Sequence, residues 1–313
     1  MATMQAVRFH SYGGPEVLVL EEVPRPQAGA GELLIRVHAA GVNPIDWKVR
    51  AGHLKDWLPH RLPLIPGWDV SGVVEAVGPD VTAFKIGDAV YGMLDFMRNG
   101  AYAEYVAVRT GDLVRKPRSI DHVQAAAVPL AALTAWQALF EVADLAPWHT
   151  VLIHAAAGGV GHFAVQFAKW KGAKVIGTAS AGNASFLREL EANRVIDYRT
   201  TQFEEVVREV DVVLDPIGGD TQDRSWRVLK KGGILVATLG ISSPEAARQP
   251  GVRGEGVSVH TDTAQLTQIA ALIDAGDLKP AVTAVLPLAE AARAHELSQT
   301  GHVRGKIVLK VGD

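Results

Sequence analysis

Residues 150–161, TVLIHAAAGGVG, run directly into HFAVQFAKWK at 162–171, and this junction restricts the possible folds more than any other stretch. Val151 to Ile153 form a short apolar run of strand type. From Gly159 onward, Val160, Phe163, Ala164, Phe167 and Ala168 recur at helical spacing. A strand, a glycine-rich turn and a helix therefore follow one another without a gap. Side chains this small leave backbone N–H groups and the positive end of the helix open to a phosphate. The pattern departs from G-x-G-x-x-G in that Ala156 stands at the first glycine position, with Gly158 and Gly161 at the other two. Glycines in such a turn also serve packing alone, so it is the flanking strand and helix that point to dinucleotide binding.

The same unit recurs downstream. Ala173–Thr178, Arg194–Asp197, Asp211–Asp215, Gly233–Leu239 and Gly256–His260 read as strands, and 184–191, 202–210 and 221–229 as helices. Strands alternating with helices imply a doubly wound parallel sheet covered on both faces. Before it, from Gln5 to about Pro117, short β segments at 5–9, 17–23, 32–40, 69–77, 89–93 and 101–108 are divided by Gly and Pro. That texture gives way at His122 to Ala-rich helix at 123–130 and 133–145. After residue 262 come a helix at 263–275, an extended piece at 279–285, a helix at 288–299 and a strand at 306–311, a tail placed to complete the first domain. The expected α/β organisation is a discontinuous β-rich domain, 1–122 and 263–313, with the parallel-sheet domain at 123–262.

A net charge of −3, without a basic run, gives no footprint for nucleic acid or an anionic membrane. The N-terminus lacks the apolar core of a signal peptide, and the longest apolar stretch, 125–136, is broken by Pro129, so a cytoplasmic protein is expected. The chain has no cysteine, which excludes disulfides, thiolate nucleophiles and thiolate-ligated metals.

Several motifs in order carry a resemblance: 39–46 (AAGVNPID), 66–72 (PGWDVSG), 77–80 (VGPD), 84–91 (FKIGDAVY), 133–136 (LTAW), 155–161, 215–219 (DPIGG) and 301–306 (GHVRGK). With these the chain resembles the medium-chain dehydrogenase/reductase superfamily, in its zinc-independent quinone oxidoreductase branch. The resemblance implies a GroES-like substrate domain, a Rossmann domain and an active site in the cleft between them. It also implies NADPH-dependent reduction of quinones or activated alkenes, and a homodimer, with Gly256–His260 as a candidate edge strand for pairing. Zinc alcohol dehydrogenases of the wider superfamily place a cysteine where this chain has Asn43 or a neighbour, and a histidine where it has Trp68. Their four-cysteine structural zinc loop is also missing. His10, His38, His53, His60, His122, His154 and His162 show no H-x-x-x-H spacing, so no metal and no zinc are expected.

NAD-specific domains carry Asp or Glu at the end of the second strand, about 20 residues past the glycine turn. Here Thr178, Ser180 and Asn183 occupy that region and no carboxylate opposes a 2′-phosphate, which favours NADPH. Relatives often have Arg or Lys soon after the serine, where this chain has Gly182 and Asn183. Tyr198 and Arg199 can substitute, or form a solvated loop. Carried over residue by residue, the resemblance puts Asn43 and Thr134 at the nicotinamide end and Ala157, Gly158, Gly159, Val160 and Gly161 around the pyrophosphate. It puts Leu239 and Gly240 along the nicotinamide, and Arg304 and Lys306 toward the phosphates, the last two being equally readable as a surface turn.

A nicotinamide without metal or cysteine suits hydride delivery to a carbon already made electrophilic. A simple ketone needs a Lewis acid or strong proton donor, whereas a quinone or α,β-unsaturated ketone spreads the charge itself. Asn43, Trp47, Lys48 and Tyr102 are the donor candidates, with Trp47 also readable as an apolar wall and Trp68 as a filler of the metal position. Asp46 and Asp69, among apolar residues, are expected to accept structural hydrogen bonds. A 2-alkenal or enoyl reductase, or an NADPH-binding sensing or structural protein with little turnover, remain as alternatives.

Overall fold

A computed structural model of the chain describes residues 2–243, 245, 247 and 251–312. Its contacts define two compact units, one of residues 1–130, 261–276 and 280–313, the other of 131–260 and 277–279. Among the described residues no helix is long and apolar enough to cross a membrane.

In the first unit β1 (Thr3–Arg8) pairs antiparallel with β2 (Val19–Pro24). Then come β3 (Glu32–Val42), α1 (Pro44–Arg50), β4 (Asp69–Val77), β5 (Ala89–Met93), β6 (Tyr105–Arg109) and β7 (Leu113–Arg115). The expected strand at 101–108 begins only at Tyr105. Helix α1 was not expected, although its signals are local: Pro44 stands at the first helical position and the Asp46 carboxylate accepts the Asn43 N–H at 2.7 Å. Helix α2 (His122–Ala126) is capped reciprocally by Asp121 and Gln124. It packs on β3 and β4, and so joins the first unit rather than the domain to which residues 123–130 were assigned.

Helix α3 (Pro129–Trp136) continues into a π-helical stretch at Gln137–Val142, where the Ala143 N–H reaches the Ala138 carbonyl. In the second unit β8 (Thr150–Ile153), α4 (Gly159–Trp170), β9 (Lys174–Ala179), α5 (Ala184–Glu189), β10 (Arg194–Asp197), α6 (Phe203–Val206), β11 (Val210–Asp215), α7 (Gly219–Ser225), β12 (Leu229–Ala237) and β13 (Val252–Gly256) alternate. The six strands are all parallel in the order β10-β9-β8-β11-β12-β13. Numbered from β8 this is 3-2-1-4-5-6, the doubly wound dinucleotide-binding order, with its switch point between β8 and β11. Val151, Leu152 and Ile153 are buried because helices cover both faces.

The last strand corrects an expectation: it is Val252–Gly256, not Gly256–His260. Its sequence, VRGEG, has little strand propensity and is held by pairing with the buried β12. Gly254 is required there, since a Cβ would lie 2.5 Å from the Trp226 ring.

The chain returns to the first unit through α8 (Thr263–Ala275), which starts on the Asp262 side chain and ends at Gly276 with φ 85°. Then β14 (Val282–Pro287), α9 (Ala291–Gln299) and β15 (Lys306–Lys310) follow. β15 pairs antiparallel with β3, completing a sheet ordered β14-β15-β3-β4-β5-β7, with β6 also on β3. The tail thus supplies strands to the N-terminal domain.

Candidate active site

In the second unit the turn after β8 is built for close approach. Ala155 has φ 45°, the Ala156 N–H bonds the Thr178 carbonyl at 3.0 Å, and the Gly158 N–H bonds the Ala155 carbonyl at 2.8 Å. Gly158 then caps α4 in extended conformation, leaving the amides of Gly159, Val160 and Gly161 ahead of the first intrahelical acceptor. A Cβ on Gly161 would lie 2.2 Å from the Ala155 carbonyl oxygen, so only glycine lets the helix start this close to the turn. Ala156 occupies the first glycine position because Gly177 on β9 makes room. A Cβ on Gly177 would lie 2.8 Å from that of Ala156.

Further elements end at the same carboxyl edge of this sheet. Asp215, closing β11, accepts the Ile217 and Gly218 N–H groups on one oxygen and Gln222 Nε2 on the other. Gln222 also donates to the Gly240 carbonyl and accepts from Ser242, tying the loop after β12 to the turn after β11. Leu239 is held there 54% exposed, a large apolar side chain facing solvent. Ser180 is half-buried and accepts from Asn183 Nδ2 at 3.2 Å. Tyr198 is 49% exposed with the Arg199 guanidinium 5.8 Å from its ring centre.

Thr178, expected at the cofactor, is turned inward instead. Its hydroxyl meets His154 Nδ1 at 3.0 Å, while His154 Nε2 meets Ser225 Oγ at 2.9 Å. Ser225 donates to the Thr221 carbonyl, so it accepts from Nε2–H, and Nδ1 accepts from Thr178. The imidazole is thereby neutral, as burial requires, and its pKa falls to about 4.

The first unit holds a buried polar cluster around the start of α1. Asn43 Nδ2 donates to Asp69 Oδ2 at 2.8 Å, and its Oδ1 accepts from Lys306 Nζ. Lys306 also donates to the Val42 carbonyl at 2.9 Å and lies 3.7 Å from Asp69. The other Asp69 oxygen accepts the Leu130 N–H. Asp46 Oδ2 takes the Asn43 N–H and, at 3.1 Å, the Tyr102 hydroxyl, which is 3.3 Å from His295 Nε2 on α9. Asn43, Asp46, Asp69, Tyr102, His295 and Lys306 are all buried. Burial raises the Asp46 carboxyl to about 7 and lowers His295 to about 3. Burial likewise pushes Asp69 up and Lys306 down, and their mutual attraction opposes both shifts.

The structure therefore revises two more assignments. Lys306 is not part of an exposed surface turn; β15 carries its ammonium into this buried cluster. Tyr102 donates inward to Asp46 rather than presenting its hydroxyl to a substrate. Arg304 is exposed, and Thr134 is buried on α3. Trp47 is half-buried, with the His53 ring edge-on at 5.9 Å, and its buried indole N–H has no acceptor among the described residues. Trp68 is fully buried and donates to the Arg98 carbonyl. Asp46 and Asp69 accept hydrogen bonds as expected. Sequence reasoning missed His295, Gln222 and the Lys306–Asn43 contact; only the helix-start signal at residues 43–46 was locally readable.

Comparison with known proteins shows the family. An alcohol dehydrogenase GroES-like domain model matches residues 29–118, and a zinc-binding dehydrogenase model matches 190–309. The chain is 33% identical to a quinone oxidoreductase of Sus scrofa, over 98% of this chain and 97% of the relative. It is 36% identical to a chloroplastic NADPH-dependent alkenal/one oxidoreductase of Arabidopsis thaliana, over 98% of this chain and 79% of the relative. The solved quinone oxidoreductase of Coxiella burnetii superposes with a TM-score of 0.93 at 39% identity, covering 99% of this chain and all of that one. The chain belongs to the medium-chain dehydrogenase/reductase superfamily, in its quinone-oxidoreductase-like branch.

Proposed function

We propose that this chain is a zinc-independent, NADPH-preferring reductase of conjugated carbonyl acceptors, quinones or enals and enones. The observation that carries the reading is the donor set around Asn43. Where the zinc enzymes of the superfamily present ligands, this chain has an amide committed to Lys306 and Asp69 and a buried indole at Trp68. The indole has no lone pair to give a metal, the amide oxygen already accepts from an ammonium, which opposes a second cation beside it, and the chain has no cysteine. The names of the relatives support the same acceptor class.

The second unit fits a dinucleotide on its own geometry. Gly161 seats the start of α4 directly against the turn after β8, and the amides of Gly159 and Val160, ahead of the first intrahelical bond, suit a pyrophosphate. The exposed Leu239, beside Gly240, suits one face of the nicotinamide ring, which when bound supplies the hydride. Ser180, Asn183 and Tyr198 suit the 2′-phosphate of NADPH, and residues 177–183 contain no carboxylate to repel it. On the first unit, Asn43 fixes polar geometry and Trp47 contributes apolar wall. Chemistry that relies on orientation and modest donation suits an acceptor that disperses its own charge.

The edge strand β13 supports a homodimer by strand pairing, which sedimentation velocity reads as twice the 33.4 kDa chain mass. The function is tested by stopped-flow oxidation of NADPH and NADH by metal-stripped protein with 1,4-benzoquinone, 9,10-phenanthrenequinone and a 2-alkenal. Saturable, NADPH-preferring turnover is the expected result. Cofactor binding without turnover of any acceptor would make a sensing or structural role the better reading.

A further inference from the structure

The first unit commits three fully or nearly fully buried ionisable groups to the surroundings of one amide, a costly arrangement for a structural cap. Lys306 and Asp69 come from β15 and β4, on either side of β3, and converge on Asn43 just past the end of β3. Lys306 can only donate and an ionised Asp69 can only accept. Their positions therefore admit one orientation of the Asn43 carboxamide, oxygen toward Lys306 and nitrogen toward Asp69. The flipped amide would put N–H against ammonium and carbonyl against carboxylate. Of the two N–H groups on Nδ2, Asp69 takes one.

We infer that Lys306 is a positioning residue that, with Asp69, locks Asn43 so that the remaining carboxamide N–H is a hydrogen-bond donor aimed at the carbonyl oxygen of the acceptor. An ammonium on Oδ1 also draws electron density from the amide and strengthens that N–H as a donor. The ligand chemistry follows: an oxygen that gains negative charge as the conjugated system is reduced, a quinone or enone oxygen. An amide free to flip would present its own oxygen half the time and repel that charge. This inference rests on the reductase reading above, and its test separates the two.

The test is a double-mutant cycle of Lys306→Met and Asn43→Ala, read as kcat and KM for acceptor, beside NADPH Kd from its fluorescence. Lys306→Met is expected to lower kcat about tenfold or more with Kd changed less than about twofold, since it weakens one oxyanion donor. In the Asn43→Ala background the same substitution is expected to cost less than about twofold, because Lys306 acts through Asn43. An equal loss in both backgrounds, or full activity in Lys306→Met, overturns the inference.

A readout independent of turnover comes from the side-chain amide resonances of apoprotein, with Asn43 assigned by its disappearance in Asn43→Ala. The lock predicts two widely separated Asn43 protons, the one on Asp69 downfield, collapsing toward each other in Lys306→Met; an unchanged pair refutes it. Should Lys306→Met fail to fold, Lys306→Met/Asp69→Asn removes both charges together and carries the same comparison. Wild-type protein with no turnover on any acceptor would sink the functional reading, while the amide resonances still decide the lock.

Discussion

Gly161→Ala tests whether α4 is seated on the nucleotide turn by steric necessity. The added Cβ would lie 2.2 Å from the Ala155 carbonyl oxygen and 2.7 Å from Ala156 Cα, against an ordinary contact beginning near 3.4 Å. Both obstacles are backbone, so no rotamer relieves them, and the helix start must retreat by about an ångström in an interior packed at crystal density. Alanine adds no dihedral strain here and gains about 1 kcal/mol of helix propensity. Overpacking costs about 1–3 kcal/mol when side chains can yield and more against fixed backbone, giving a net loss of about 2 kcal/mol. Gly158→Ala is the control: its Cβ would lie 3.2 Å from the same oxygen, a conflict of a few tenths of an ångström, costing less than about 1 kcal/mol. Urea unfolding of both variants, with NADPH titration of the folded proteins, is the assay. Retreat of α4 moves its first amides away from the turn, so Gly161→Ala is also expected to bind NADPH about tenfold more weakly, equivalent to about 1.4 kcal/mol. Equal stability and affinity in the two variants would refute the seating argument.

Three other outcomes follow from contacts elsewhere. Gly177→Ala is expected to destabilise through its 2.8 Å approach to the Ala156 Cβ, and Ala156→Gly in the same chain to restore most of the loss, a coupling that thermal melts of the four proteins would read. His154, lowered to about 4 by burial, is expected to remain a neutral Nε2–H imidazole at pH 5.5 in long-range 15N spectra. Because its folded pKa lies below the unfolded value, its contribution to stability is full above about pH 6.5 and falls by about 3 kcal/mol as pH drops to about 4. Asp46, raised to about 7 by burial, works in the opposite direction, favouring the fold below its unfolded pKa and losing that contribution as pH rises to about 7. Asp46→Asn should therefore gain on wild type by about 1.4 kcal/mol per pH unit between pH 5 and 7, and parallel stability–pH curves for the two proteins would contradict it.

What the sequence revealed of this fold depended on how local the cause was. The glycine turn, the six-strand alternation and the limits of α8 rest on neighbouring residues, and they are legible. The strand β13 was misplaced because VRGEG has no period of its own; it becomes a strand only through its pairing with β12 and the space Gly254 leaves for Trp226. Helix α1 was passed over because the surrounding Gly and Pro punctuation suggested β structure, although Pro44 and Asp46 mark a helix start. The substitution at Ala156 became intelligible only with Gly177, 21 positions away, across the adjoining strand. The expectation for Lys306 rests on the resemblance alone, and nothing within ten residues tells that β15 pairs with β3 and delivers its ammonium to Asn43.

The buried cluster in the first unit also shows why burial alone does not reveal a residue's purpose. Desolvating an ammonium and two carboxyl groups costs several kcal/mol each, and replacing such a set by apolar groups of equal volume is often neutral or stabilising. Apolar packing would therefore hold β3, β4 and β15 together at least as well. What packing cannot do is tell the oxygen of an amide from its nitrogen, because the two ends of a carboxamide have nearly the same shape. Only a fixed donor on one side and a fixed acceptor on the other make that distinction, and Lys306 and Asp69 are such a pair. Tyr102 is spent one step further back, on Asp46, which in turn holds the Asn43 backbone N–H. Amide orientation and backbone position are thus set by separate contacts, and a substitution can disturb one while leaving the other in place.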